Sequence, residues 1–295
     1  MKMNLRQIEV FRAVMLTGSI SGASKLLYVS QPAISRLMSH TEQRLGLELF
    51  RRVKGRLYPT PEARRLLNEV NAVYEGIERV NEIAEDLATN RTGSLRISCS
   101  PNLGQTVLPQ AIASFRAAHP AVRIVVRTQI PGNMLRALLS GQAELAVSNM
   151  PLVHPSLESR LLVKNPMVAL VPAGHRLSGR SYVRPSELAG EPLIGYGADV
   201  PFGLLVREMF GSGFDDLDMR IEVEQAHVAR ALAQAGAGIA LVDAMTVFGQ
   251  AWPNVMAIPI RTKVNASVQI FNVQSEPLSR LALVFAQELM ARMKA

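Results

Sequence analysis

Within SQPAISRLM, residues 30–38, side chains that can grip a charged polymer are interleaved with side chains that need a core. Gln31 can bond adenine through both ends of its carboxamide. Arg36 can do the same to guanine with its forked guanidinium. Each such contact is worth about 1–3 kcal/mol of discrimination between bases. Ser30 and Ser35 add hydroxyls for phosphate or base edges, and Pro32 and Ser39 share their surface. Ile34, Leu37 and Met38 belong to an interior. Taken alone, the polar set also fits a solvated helix face.

The surrounding pattern supplies the frame. Leu5, Ile8, Phe11, Val14 and Met15 recur at three and four residues, the spacing of an amphipathic helix. Gly18 is a stop and Ser19 a cap for a second, short helix, ISGASKLL, whose small Ala23 lets another helix pass close by. Tyr28 and Val29 form a tight connection. Ser30 offers a hydroxyl cap to a third helix, with Pro32 in its first turn, where a missing N–H costs nothing. Ile34, Leu37, Thr41 and Leu45 form the inner stripe of that helix. Helix, short helix, turn and longer helix make a helix-turn-helix, and the outer surface of the third helix is what such a motif sets against base edges.

Charge points the same way. Residues 1–65 hold twelve Lys and Arg against four Asp and Glu, which accounts for the whole net charge of +8; the other 230 residues balance. A basic module on a neutral body favours nucleic acid as partner, with an anionic membrane surface as the competitor. Past Gly46, LELFRR and RLYPT flank Lys54-Gly55 and read as a β-hairpin wing. Its Arg51, Arg52, Lys54 and Arg56 reach phosphate, setting affinity and salt dependence more than sequence choice. A solubilising hairpin edge is the alternative.

The run from FRAV through A-x-x-L, SQPAISR and E-x-x-LG-x-x-LF to PT-x-EA resembles the winged helix-turn-helix of LysR-type transcriptional regulators over about sixty residues. GRLYPT and the TGS entry are most similar to the lysine-biosynthesis and opine-catabolism subgroup. Thr41 departs from the leucine common at its position, and Arg64 from a common glycine. The resemblance implies an α/β fold in three parts: a winged helix-turn-helix (1–60), a linker helix (61–92) and an effector-binding domain (93–295). The last would comprise two Rossmann-like subdomains of periplasmic-binding-protein type, about 93–165 with 265–295, and about 166–264. It also implies double-stranded promoter DNA as partner, a homodimer through the linker, a homotetramer spanning two sites, and an effect on RNA polymerase.

The residues bear independently on the last two parts. From Pro61 to about Arg91 no proline intervenes, and Leu66, Val70, Val73, Ile77, Val80, Ala84 and Leu87 step by four and three. That is a heptad rhythm, and about thirty residues of helix make a rod of roughly 45 Å. A helix docked on its own protein is the other reading. Beyond Gly93, strands are expected at 95–100, 122–128, 143–148, 167–172, 191–196, 219–224, 238–243 and 268–273, with helical stretches between many of them. This alternation predicts parallel α/β layers.

In such sheets ligands gather beyond the carboxyl ends of strands. Ser100, Asn102, Thr128, Gln129, Ser148, Asn149, Asp199, Phe202, His227 and Asp243 lie there. Helices opening at Ser100–Asn102 and Pro201–Gly203 favour a carboxylate, and Asp199 or Asp243 can accept an ammonium group. A carboxylate or amino-acid-like effector is therefore expected, with no cofactor. For each residue, ordinary capping is the alternative.

Enzyme chemistry finds little support. Cys99 lies in an apolar strand, and the five histidines lack metal-ligand spacing. GAGIA at 236–240 precedes a strand, where a phosphate loop would follow one. One cysteine fits a reducing cytoplasm, and no run of about 18 apolar residues suggests a membrane span. The N-terminus lacks the pattern of a signal peptide. A solute-binding protein without regulatory DNA binding is the second reading; the basic helix-turn-helix argues against it.

Overall fold

The structure is a computed structural model that describes residues 2–88, 93–197, 200–249 and 251–294. The chain divides into two compact units, 1–88 and 89–295.

In the first unit, α1 (Leu5–Thr17), α2 (Ile20–Leu27) and α3 (Gln31–Leu45) precede a hairpin of β1 (Phe50–Val53) and β2 (Arg56–Pro59), then the long helix α4 (Pro61–Ala88). Asn4 and Gln7 close a capping box at the start of α1, and Ser19 accepts the Gly22 amide at the start of α2. Val10, Phe11, Val14, Ala23, Ile34, Met38 and Leu49 share one core. The stripe expected on α1 is rotated: Phe11 and Val14 are buried, Ile8 is half-buried, and Leu5 is exposed. On α3, Met38 is buried more deeply than Leu37, which is only half-buried. Thr41 fits where a leucine is common because its hydroxyl donates to the Leu37 carbonyl at 2.7 Å. Arg64 is exposed.

The second unit opens with β3 (Ser94–Cys99), α5 (Pro101–Gln105), α6 (Val107–Ala118), β4 (Arg123–Thr128), α7 (Pro131–Leu139), β5 (Leu145–Ser148) and β6 (Leu157–Pro172). It continues with α8 (Pro185–Leu188), β7 (Leu193–Tyr196), α9 (Pro201–Phe210), β8 (Ile221–Val223), α10 (Ala226–Gln234) and β9 (Ile239–Asp243). It closes with β10 (Val255–Pro259), β11 (Asn265–Val273) and α11 (Arg280–Lys294). The strands run in the order β4-β3-β5-β11-β6-β9-β7-β8, with β10 also paired to β6.

Parallel layers are only part of this arrangement. β4-β3-β5 and β8-β7-β9 are parallel triplets, but β6 and β11 run antiparallel to every strand they pair with. Those two long strands are the crossovers. β6 pairs with β11 up to Pro166 and with β9 from Met167, so one strand passes between two lobes. Each lobe has its own core, one centred on Leu95, Phe115 and Phe285, the other on Leu170, Ile194 and Leu241. Among the described residues no helix is long and apolar enough to cross a membrane.

Candidate DNA-contacting face and ligand cavity

Helix α3 begins at Gln31 with Pro32 in its first turn. Ser30 occupies the capping position but makes no side-chain cap hydrogen bond, contrary to the expectation from sequence. Gln31, Pro32, Ser35, Arg36 and Ser39 are all exposed, opposite Ile34, Met38 and Thr41. Apart from Pro32, the exposed face of α3 is thus polar over its first two turns.

The wing stands beside it. Arg51 pairs with Tyr58 and Arg52 with Leu57 across the ladder, and Lys54 and Gly55 turn the chain with φ of 50° and 77°. Two consecutive positive φ values are the signature of the tight turn that suits strand twist. Neighbouring strand residues point to opposite faces. Arg52 accordingly borders a shallow groove with Ile20, Gln31, Pro32 and Ser35, whereas Arg51 pairs with Glu48 at 3.2 Å. Arg56 and Tyr58 border the adjoining part of the same groove. Arg36 lies outside it, its Nε donating to the Pro32 carbonyl at 3.3 Å. Glu42, which opens the E-x-x-LG-x-x-LF run, accepts through Oε1 the amides of Leu49 at 2.8 Å and Phe50 at 3.0 Å, the two residues that close that run, and so holds the wing against α3.

On α4, Leu66 and Val70 belong to the core of the first unit. Val73 (44%), Ile77 (43%) and Val80 (65%) continue the same stripe in solvent. Ala84 is exposed; the side chain of Leu87 and residues 89–92 lie outside the described residues.

In the second unit a cavity of about 300 Å³ opens between the lobes. From one lobe it is lined by Ser100, Asn102, Gln129, Ile130, Gly132, Asn149 and Met150; from the other by Tyr196, Pro201, Phe202, Glu224, Gln225 and His227. Six of the ten residues expected here line it. Thr128 borders a neighbouring depression with Gln129 and His227. Ser148 is buried behind the wall, where its hydroxyl accepts the Met150 amide at 3.0 Å. Asp199 lies outside the described residues.

Asp243, expected at the cavity, lies behind it. It is fully buried, does not line the cavity, and is surrounded by donors: Nδ2 of Asn102, Asn149 and Asn165, and the amide and hydroxyl of Thr246. A carboxylate so occupied has no room for a ligand's ammonium group. Burial pushes its pKa up, while the hydrogen bonds from Asn165, Asn149 and Thr246 pull it back. Burial and the nearby Arg230 hold His227 below the usual histidine range. Cys99 is buried, and its thiol is pushed up to about 12, so it is no nucleophile. Among the described residues no group of three or more His, Cys, Asp or Glu could hold a metal ion.

A winged helix-turn-helix with a polar recognition face, joined in one chain to a two-lobed α/β body, defines a class of DNA-binding protein. Comparison with known proteins makes the class specific. Residues 5–64 match the bacterial regulatory helix-turn-helix protein of the lysR family, and residues 88–294 match the LysR substrate binding domain. The HTH-type transcriptional regulator DgcR of Pseudoalteromonas sp. is 34% identical over 97% of this chain and 99% of its own length. The transcriptional activator protein LysR of Escherichia coli K12 is 32% identical over 98% and 93%. The octopine catabolism/uptake operon regulatory protein OccR of Rhizobium meliloti is 36% identical over 82% and 80%. The crystal structure of CbnR, a LysR family transcriptional regulator, superposes with a TM-score of 0.75 at 22% identity, covering 99% of this chain and all of that one. The chain belongs to the LysR family and is a DNA-binding transcriptional regulator.

Proposed function

We propose that this regulator reads promoter DNA through the exposed face of α3 and grips it with the wing. Gln31 and Arg36 contact base edges, and Ser30, Pro32, Ser35 and Ser39 fit against the groove walls. Arg51, Arg52, Lys54 and Arg56 neutralise phosphates. The observation that carries this reading is the shared groove of Gln31, Pro32, Ser35 and Arg52, which joins the polar helix face to the basic wing. Its domains are 1–60 for DNA binding, 61–92 for dimerisation and 93–295 for the effector. The exposed stripe of Val73, Ile77 and Val80 supports a homodimer through α4, because an apolar heptad face gains by burial against a second copy. Two such dimers make a tetramer on paired sites.

The cavity takes a small carboxylate, and an amino-acid-like one fits best. Helices α7, α9 and α10 all begin on its wall, at Pro131–Gly132, Pro201–Phe202 and Ala226–His227. First-turn amides have no acceptor within their own helix, and the helix dipole is positive there. Among the described residues no Lys or Arg lines the cavity, so two or more negative charges on a ligand would lack countercharge. Glu224 on the same wall suits a cation. Kinship with OccR and LysR supports the opine- and lysine-related subgroup. An effector that binds the two assembly states unequally shifts DNA bending, and with it access for RNA polymerase.

Mobility-shift selection of genomic fragments with the full-length chain tests the DNA reading. A defined fragment retained far above bulk DNA is expected; equal, weak retention of all fragments would contradict it. Calorimetric titration with amino acids and dicarboxylates tests the effector reading, with heat expected from the former.

A further inference from the structure

Asp243 shapes the cavity without touching it. Its carboxylate takes Nδ2 of Asn149 at 2.9 Å and Nδ2 of Asn102 at 3.1 and 3.3 Å, and both asparagines line the cavity. An ionised carboxylate only accepts hydrogen bonds, so each carboxamide must present its nitrogen to Asp243. The flipped orientation would set oxygen against oxygen in a buried place, which is costly. Both carboxamides are therefore fixed with Oδ1 directed away from Asp243. Among the described residues neither Oδ1 takes a hydrogen bond, and neither is among the sealed, unpartnered side-chain atoms. Asn165 differs: its Oδ1 is already used by the Met245 amide at 3.0 Å. The cavity wall thus carries two open acceptors of fixed polarity, and Glu224 adds a carboxylate to the same cavity.

We infer that Oδ1 of Asn102 and of Asn149, together with Glu224, receive the ammonium group of an α-amino-acid effector, and that Asp243 is the positioning residue that aims them. The inference rests on the reading of this cavity as the effector site. It reassigns the ammonium contact from a carboxylate that is full to two carbonyl oxygens that are free. The effector's carboxylate is left for the first-turn amides of the helices that begin on the cavity wall.

The test is calorimetric titration of the full-length protein with norleucine, lysine and glutamine, each beside the same molecule without its α-amino group: hexanoate, 6-aminohexanoate and 4-carbamoylbutanoate. The amino form of the compound that fits should bind roughly ten- to a hundredfold more tightly, the range for hydrogen bonds to a charged group. In Asp243→Asn the new carboxamide can offer a donor, one neighbouring asparagine can turn its nitrogen toward the cavity, and the preference should collapse. Should that variant fail to fold, Asn149→Ala removes one acceptor at the wall and should reduce the preference by itself. Equal affinity for amino and deaminated forms overturns the inference and leaves an organic-anion effector standing. A full preference surviving in Asp243→Asn overturns the positioning role, and one surviving in Asn149→Ala overturns the ammonium contact at Asn149. No binding by any of the six compounds overturns both the inference and the amino-acid reading beneath it.

Discussion

The Glu42 carboxylate accepts the Phe50 amide at 3.0 Å, tying the last turns of the third helix to the first strand of the wing. The same oxygen takes the Leu49 amide at 2.8 Å. The half-buried carboxylate thereby fixes where the wing's basic residues stand relative to Gln31. Hydrogen bonds to a charged group contribute about 1.5–3 kcal/mol. Glu42→Ala should lower the stability of the first unit by that order, seen in urea melts. It should also weaken DNA binding more than loss of one phosphate contact would.

Arg52 and Arg51 sit side by side yet differ in surroundings. Arg52 borders the groove with Gln31, while Arg51 is engaged with Glu48. Arg52→Ala should flatten the dependence of log K on log salt by about one unit. Arg51→Ala should flatten it less. Binding isotherms at a series of salt concentrations decide this, and equal slopes would remove the distinction.

The exposed heptad stripe predicts assembly. Ile77→Asp with Val80→Asp sets charges on the face of α4 that gains most from a second copy. The variant should have a lower mass than the unaltered chain in light scattering and should lose affinity for a two-fold DNA site. An unchanged mass would place the contact elsewhere.

Glycine 203 is required by close approach. A Cβ there would collide with the Gly197 carbonyl oxygen, and a backbone atom cannot swing aside. Gly203→Ala should displace the start of α9 from the cavity wall. Its expected cost is about 1–3 kcal/mol in stability, the range for overpacking, with weaker effector binding. Thermal melts and calorimetry measure the two effects.

His227 gives a pH signature. Its folded pKa lies below the ordinary 6.5, from burial first and Arg230 second. The unfolded state therefore binds the proton more readily. The associated stability is complete above about pH 6.5 and is lost as pH falls through that value toward the folded pKa. Melting temperature should drop over this window, and His227→Gln should remove that part of the drop.

Local pattern made the first unit legible: the caps at Ser19 and Gly18, the apolar spacing and the Lys54-Gly55 turn are all short-range signals. Glu42 stood out only as the first residue of E-x-x-LG-x-x-LF; its role did not, because its partners are backbone amides seven and eight residues away, which leave no mark in side-chain types. In the body, strands buried on both faces, such as Leu145–Ser148 and Ile239–Asp243, stand out as apolar runs. The first half of β6 does not, since Glu158–Leu161 is exposed and shows no alternation. β10 is hidden likewise, with only Val255 and Ile258 buried. Strand ends pointed to the cavity and found Ser100, Gln129 and Asn149. The occupation of Asp243 by Asn102 and Asn149, 141 and 94 residues away in the chain, is a property of tertiary structure alone.

The central claim is that the outward face of α3 meets base pairs. It is tested most directly by the affinity of Gln31→Ala, Arg36→Ala and the double variant for a selected genomic fragment and for random duplex at one salt concentration. Both side chains are exposed, so the fold should be unaffected. Each substitution should cost about 1–3 kcal/mol on the selected fragment and little on random DNA. Equal losses on both would make these residues phosphate contacts, and no loss on either would place recognition on another surface.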